Sequence, residues 1–116
     1  LFFRKDRHAK PDTKLKIIPI KKDMGWCDDI RSKKYNKLIK ISKKINHEKL
    51  TRKDSSYDFL IPINYNTNKI KNGKGSAIFI HITKNYKKTL GCVAIKKKDM
   101  LILLKLLKKN ATIKIF

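Results

Sequence analysis

Two residues in this chain have the types and the setting for covalent chemistry. His81 closes the apolar run Gly75-Ser76-Ala77-Ile78-Phe79-Ile80, and eleven residues later Cys92 follows Gly91 and opens Val93-Ala94. A thiol with a pKa of ~8.5 is mostly protonated at neutral pH. An adjacent imidazole can take that proton, and the resulting thiolate attacks a carbonyl carbon. Gly91 leaves the backbone uncrowded, so that an amide N–H beside Cys92 is available to an oxyanion. Lys87 and Lys88 would draw in an anionic substrate. Spacing alone favours a plainer alternative, a small buried core thiol and a histidine satisfied at a strand end.

The chemistry requires both side chains on one face of neighbouring strands. Alternation along a strand puts Ala77, Phe79 and His81 on one face and Ile78, Ile80 and Ile82 on the other. Cys92 and Ala94 share a face opposite Val93 and Ile95. Strands are expected over 14–20, with Pro19 marking an edge, and over 57–65, 76–83, 91–95 and 112–116. Residues 21–36 read as a loop, broken by Asp23, Gly25, Asp28, Asp29, Ser32 and Asn36, with Trp26 packing it down. Residues 37–56 are polar with scattered isoleucines, and a helical turn is expected near 48–52. The clearest helix carries Met100, Leu103, Leu104 and Leu107 on one stripe, widened by Leu101 and Leu106. Asp99 opens it, Lys105, Lys108 and Lys109 lie towards its end, and Asn110 is a natural stop. Several strands and one strong helix, without a βαβ series, predict a mostly β, mixed α+β fold with the C-terminal helix packed on a sheet.

The chain has 116 residues, enough for one domain spanning 1–116, and carries 31 Lys and Arg against 9 Asp and Glu, a net charge of +22. The abundance of Lys, Ile and Asn matches AT-rich codons, so the charge reads first as a solvated lysine surface. Attraction to a polyanion is the competing reading. Specific nucleic-acid recognition is not expected. It favours arginine forks and exposed aromatics, and Arg4, Arg7, Arg31 and Arg52 form no block in the sequence. No apolar run approaches the ~20 residues of a membrane span, and no signal peptide is visible. Cys27 and Cys92 allow one disulfide in an oxidising compartment. A zinc site from Cys27, His47, His81 and Cys92 would lack any close ligand pair.

Three motifs in order carry a family resemblance. Gly75–His81 with Gly91-Cys92-Val93-Ala94 resembles the catalytic domain of L,D-transpeptidases, the YkuD type. Gly25-Trp26-Cys27-Asp28-Asp29, followed by Tyr35-Asn36, resembles a loop of one proteobacterial branch of that family. Tyr57-Asp58-Phe59 with Asn64-Tyr65-Asn66 is similar as well, and the likeness runs from about residue 20 to the C-terminus. The chain departs from the better-known pattern where His81 precedes Ile82 and where Leu90 and Ala94 stand in place of a second histidine and an arginine or asparagine.

The resemblance implies a β-sandwich and a peptidoglycan L,D-transpeptidase that needs no cofactor or metal. It implies Cys92 as nucleophile, His81 as proton donor and acceptor, and Gly91 at the oxyanion. The thiolate would attack a stem peptide at diaminopimelate, release D-alanine and hand the thioester to the amine of a second stem. Peptidoglycan stem peptides are then the partner, the working compartment is the periplasm or cell envelope, and a monomer is expected. The family's glycine-rich N-terminal strands have no counterpart here, so an N-terminally truncated domain is expected. Trp26, Asp28, Asp29 and Thr89 are candidate substrate contacts, with an aspartate receiving a stem-peptide amine. A packed loop anchored by Trp26 is the equal alternative. Two other functions compete: an L,D-carboxypeptidase or amidase using water at the same site, and a non-catalytic basic polyanion-binding protein. His47-Glu48 reads as an exposed polar pair or as support for the site, Tyr57 and Tyr65 as strand packing, and His8 carries no signal.

Overall fold

In the computed structural model, which describes residues 1–85 and 91–115, eight short strands form two sheets and one helix follows them. The strands are β1 (Phe2–Phe3), β2 (Ile18–Pro19), β3 (Met24–Cys27), β4 (Leu38–Lys40), β5 (His47–Lys49), β6 (Phe59–Pro62), β7 (Phe79–Ile82) and β8 (Val93–Ile95). The helix α1 spans Lys97–Leu106. The larger sheet has the order β2-β1-β6-β7-β8 and the smaller β4-β3-β5. β2 is an edge strand, as its proline requires, since Pro19 has no N–H to donate to a second neighbour. In the larger sheet β1/β2 and β7/β8 run parallel, while β1/β6 and β6/β7 run antiparallel.

Alternation divides the larger sheet into two unlike faces. Phe2, Leu60 and Phe79 point at the smaller sheet and enclose a core with Trp26, Leu50, Tyr57 and Ala77. Its aromatic rings meet edge to face: Phe79 lies 5.2 Å from Trp26 and 5.7 Å from Tyr57, both at 88°. Phe3, Phe59, Ile80 and Ile82 point the other way and pack on Met100 and Leu104 of α1. Those two helix residues are an i, i+4 pair and are fully buried.

Several expectations need correction. Residues 21–36 hold β3, the central strand of the smaller sheet, and not only loop. Gly25 suits that position because a Cβ there would lie 3.1 Å from His47 Cδ2 and 3.3 Å from the Glu48 carbonyl. No helical turn forms at 48–52; β5 pairs with β3 through Cys27↔His47, Trp26↔Glu48 and Gly25↔Lys49. The helix ends at Leu106, before Asn110, and Leu106 is exposed and adds nothing to the packed stripe. The strand expected over 112–116 does not form over 112–115, where Ile113 and Ile115 are left exposed, and residue 116 lies outside the described residues.

The N-terminal segment is tied to the turn before β6 by charge-assisted bonds. The buried Asp58 accepts from Arg7 at 2.9 Å and pairs with His8 Nε2 at 2.8 Å. Arg7 also donates to the carbonyls of Arg52, Lys53 and Asp54, and Arg4 donates to the Arg52 carbonyl at 2.9 Å. Arg4 is itself held by a two-pronged pair with Asp6 at 2.7 and 2.8 Å. His8, silent in the sequence, thus belongs to this lock, and its ring lies 4.8 Å from that of Phe59.

Candidate active site

The site is built where β7 and β8 run side by side. Their register is Ile80↔Val93, His81↔Ala94 and Ile82↔Ile95. Partners across a ladder share a face, so His81 faces as Ala94 does, and so does Cys92 two residues earlier. The packing agrees: Cys92 lies against the Phe79 side, while Val93 and Ile95 lie on the helix side. His81 and Cys92 are therefore diagonal neighbours on one face. They stand one strand spacing (~4.8 Å) across and two residues (~3.3 Å each) along from each other.

Cys92 is half-buried, and its Sγ donates to the Ala77 carbonyl at 3.2 Å. Burial pushes the thiol pKa up. The Phe79 amide N–H opposes that shift by favouring the thiolate, and the Glu48 carboxylate adds to it. Burial and the Glu48 charge both favour the thiol form of Cys92 at rest.

The candidate base is oriented by a backbone carbonyl. His81 Nδ1 lies 3.0 Å from the Ile82 carbonyl oxygen. A carbonyl only accepts, so Nδ1 carries the hydrogen and Nε2 is the basic nitrogen. The ring stands edge-on to Tyr57, with centroids 5.7 Å apart at 65°. The Tyr57 hydroxyl donates to Glu48 Oε2 at 3.3 Å. Burial, then the Glu48 charge, raises the Tyr57 pKa, so the phenol stays protonated and remains a donor. Glu48 is half-buried and is itself pushed up, first by burial and also by Asp28, against the pull of Tyr57, Arg52 and His81. Arg52 completes the cluster with its guanidinium carbon 4.8 Å from the Tyr57 ring centroid.

The acceptor of the Cys92 thiol is an unusual piece of backbone. Ala77 has φ +58°, a left-handed conformation that costs a non-glycine residue of order 1 kcal/mol or more. Asn36 holds it there. Its Oδ1 accepts from Ala77 N at 3.2 Å and from Trp26 Nε1 at 2.9 Å, while its Nδ2 donates to the Tyr65 and Asn66 carbonyls. All four hydrogen-bonding positions of the amide are used. Ser76 adds a bond from Oγ to the Cys27 carbonyl at 2.6 Å. On the other side of Cys92, Gly91 has φ +119°, a conformation that L side chains rarely adopt. A cavity of about 520 Å³ opens beside Ala94, lined by His81, Arg52, Asp54 and Lys84. A second, of about 590 Å³, opens beside Gly91, lined by Ile78, Tyr65, Lys74 and the C-terminal Ile113 and Ile115.

The candidate substrate contacts fare differently. Trp26 is buried, with its ring against those of Phe2 and Phe79. Asp29 is buried, and its carboxylate accepts from the Arg31 and Asn46 backbone amides, which hold its pKa down. Asp28 is exposed and lines a third cavity of about 530 Å³ with Ser42, Asn46 and His47. Thr89, Lys87 and Lys88 lie outside the described residues. Cys27 is buried in the core, and neither cysteine is in a disulfide. Glu48 read only as half of an exposed pair or as support for the site, Tyr57 as strand packing and Arg52 as a scattered arginine; β5 and the connection after it bring the three to His81. A second sign was compositional, since Glu48 is one of only nine acids in a strongly basic chain.

Among the described residues no three ligand-type side chains converge to hold a metal ion, and no helix is long and apolar enough to cross a membrane. No curated relative and no solved structure matches the chain. The family profile of the L,D-transpeptidase catalytic domain (YkuD) matches residues 5–115, nearly the whole length. With an imidazole and a thiol on one face of adjacent strands inside that span, the chain belongs to the L,D-transpeptidase catalytic-domain family.

Proposed function

We propose that this protein is a cysteine-dependent peptidoglycan L,D-transpeptidase working in the periplasm or cell envelope, with Cys92 as nucleophile and His81 as proton carrier. The observation that supports it most is the shared face of His81 and Cys92, with Nδ1 committed to the Ile82 carbonyl and Nε2 left basic. In the first step the Cys92 proton passes to Nε2 as Sγ adds to the diaminopimelate carbonyl of a stem peptide. The oxyanion is received by backbone N–H groups at Gly91-Cys92. The C–N bond to D-alanine then breaks, the imidazolium proton goes to the departing amine, and a thioester remains. In the second step the amine of another stem adds to the thioester. Nε2 takes its proton, the C–S bond breaks, and the proton returns to the thiolate. Water in place of that amine would give hydrolysis at the same site.

The test is intact-protein mass after incubation with tetrapeptide and pentapeptide muropeptides, with Cys92→Ala alongside. An adduct of acyl mass that is absent from the variant is the expected result. Cross-linked product identifies the amine as acceptor, and only trimmed stems would identify water. A folded chain that forms no adduct with either substrate would overturn the catalytic reading, and salt-sensitive polyanion binding unaffected by Cys92→Ala would replace it.

A further inference from the structure

The cavity beside His81 contains a cation that the reaction scheme does not use. Arg52 is one of many basic residues, but its setting is unlike that of a surface lysine. The three consecutive carbonyls of its loop, at Arg52, Lys53 and Asp54, all accept from the Arg7 guanidinium, at 3.2, 3.0 and 2.9 Å. The Arg4 guanidinium takes the Arg52 carbonyl a second time, at 2.9 Å. Arg4 and Arg7 are fixed in turn by Asp6 and by the buried Asp58. The backbone beneath Arg52 is therefore set before any ligand arrives. Its side chain is set as well, because the guanidinium lies over the Tyr57 ring at 4.8 Å. The same ring touches His81 with its edge, so one phenol positions both the imidazole and the guanidinium. Both side chains line the cavity of about 520 Å³.

We propose that Arg52 is the carboxylate-recognition residue of this site, receiving a free carboxylate of the stem peptide in the cavity it shares with His81. This rests on the peptide-substrate reading above. A planar guanidinium offers paired N–H donors that match a carboxylate two to two, which a lysine ammonium cannot do. The ion pair that Arg52 makes, with Asp54 at 3.5 Å, joins two side chains that are 41% and 58% exposed. Such a pair is weak and readily exchanged for a better-placed anion. Lys84 lines the same cavity and is exposed as Arg52 is, but its flexible stem and compact ammonium give it charge without the direction of a guanidinium held over a ring. The cavity beside Gly91 offers no guanidinium and is lined largely by isoleucine and tyrosine, so it suits the less charged part of a peptide.

The experiment uses calorimetry on the full chain carrying Cys92→Ala, which binds without turning over. The ligands are a tetrapeptide stem and the same stem with its carboxylates amidated. Arg52→Gln is expected to weaken the free-acid peptide by tenfold or more, as loss of a charged hydrogen-bonded contact does. It should leave the amidated peptide within twofold, with Arg52→Lys intermediate and Lys84→Gln within twofold for both. Amidation alone should weaken binding to the protein with Arg52 intact, which gives the same readout should Arg52→Gln not fold. Equal affinity for both peptides, equal losses for both in Arg52→Gln, or no binding of either overturns the proposal. Carboxylate-dependent binding without an acyl adduct on the Cys92 protein would sink the transpeptidase reading and leave Arg52 in its role. An adduct with no carboxylate dependence would do the opposite.

Discussion

The two faces of the larger sheet are made by the same strands and do different work. Along β7, Ile80 and Ile82 look at α1, while Phe79 and His81 look at the smaller sheet. The helix side is satisfied by volume alone. Ile80, Ile82, Phe59, Met100 and Leu104 interlock without a polar group among them, and all are buried. The other side mixes Phe79, Leu60 and Trp26 with Tyr57, His81 and Cys92, and Trp26 Nε1, the Tyr57 hydroxyl, His81 Nδ1 and Cys92 Sγ each have a partner there. Buried polar groups cost stability unless they are bonded, so the second face is held in one geometry by its hydrogen bonds as well as by packing. One face stabilises the fold by packing, and the other fixes the positions of the Tyr57, His81 and Cys92 polar atoms.

Substitutions on the two faces should separate those roles. The largest effect is expected from Cys92→Ala, with a loss of turnover on the order of 10⁴-fold or more. Its thermal midpoint should stay close to the parent's, measured by circular dichroism beside the muropeptide assay. A midpoint that collapses would place Cys92 with the packing residues. Leu104→Ala should do the reverse, costing about 2–5 kcal/mol by denaturant titration, because a fully buried side chain leaves a cavity. Under conditions where that variant is still folded, acyl-adduct formation should match the parent's. Adduct loss in step with folded Leu104→Ala would join the two faces that are here set apart.

Asp58→Asn tests the lock that serves both faces. It keeps the shape and removes the charge facing Arg7 and His8, and should cost about 1–3 kcal/mol. It should also weaken free-acid stem peptides through the looser loop at residues 52–54, and amidated stems less. Unchanged stability would show that the lock carries no weight.

The smallest effect concerns Glu48. Its folded pKa is raised, so over the range above the ordinary glutamate value the folded protein holds this proton after the unfolded chain has released it. Stability therefore falls as pH rises through that window and levels off above the folded pKa. Glu48→Gln should flatten this decline in a pH series of thermal midpoints. The same variant removes a negative charge that disfavours the thiolate, so Cys92 should be alkylated by iodoacetamide faster than the parent at pH 8. A slower rate would mean that Glu48 assists the nucleophile.

How much of this was visible in the sequence follows from how apolar the chain is around each short strand. The runs around His81 and Cys92 were long and apolar enough for alternation to assign faces, and Met100 and Leu104 marked the helix by their spacing. β3, β4 and β5, at four, three and three residues, are as short as β7 and β8 at four and three, but Asp, Asn and Lys crowd both their ends, so no apolar period shows around them. Trp26 looked like a loop anchor because the strand around it is shorter than the polar residues on either side. Residues 112–115 had the pattern of a strand but no neighbour to pair with. Asn36 figured only as part of a matching loop, since a hub that joins Trp26, Ala77 and two carbonyls has no signature along the chain.

The arginines add a last consequence. The chain carries 27 lysines and four arginines, scattered along its length. In the fold, Arg4, Arg7 and Arg52 gather at one loop, and Arg31 closes on Asp29. Arg52, Arg7 and Arg4 use the plane or fork of the guanidinium, over a ring, across consecutive carbonyls and against a carboxylate. An ammonium could supply the same charge at any of these three positions and none of that geometry. Among so many lysines, those three arginines stand where a cation's outline matters as well as its sign.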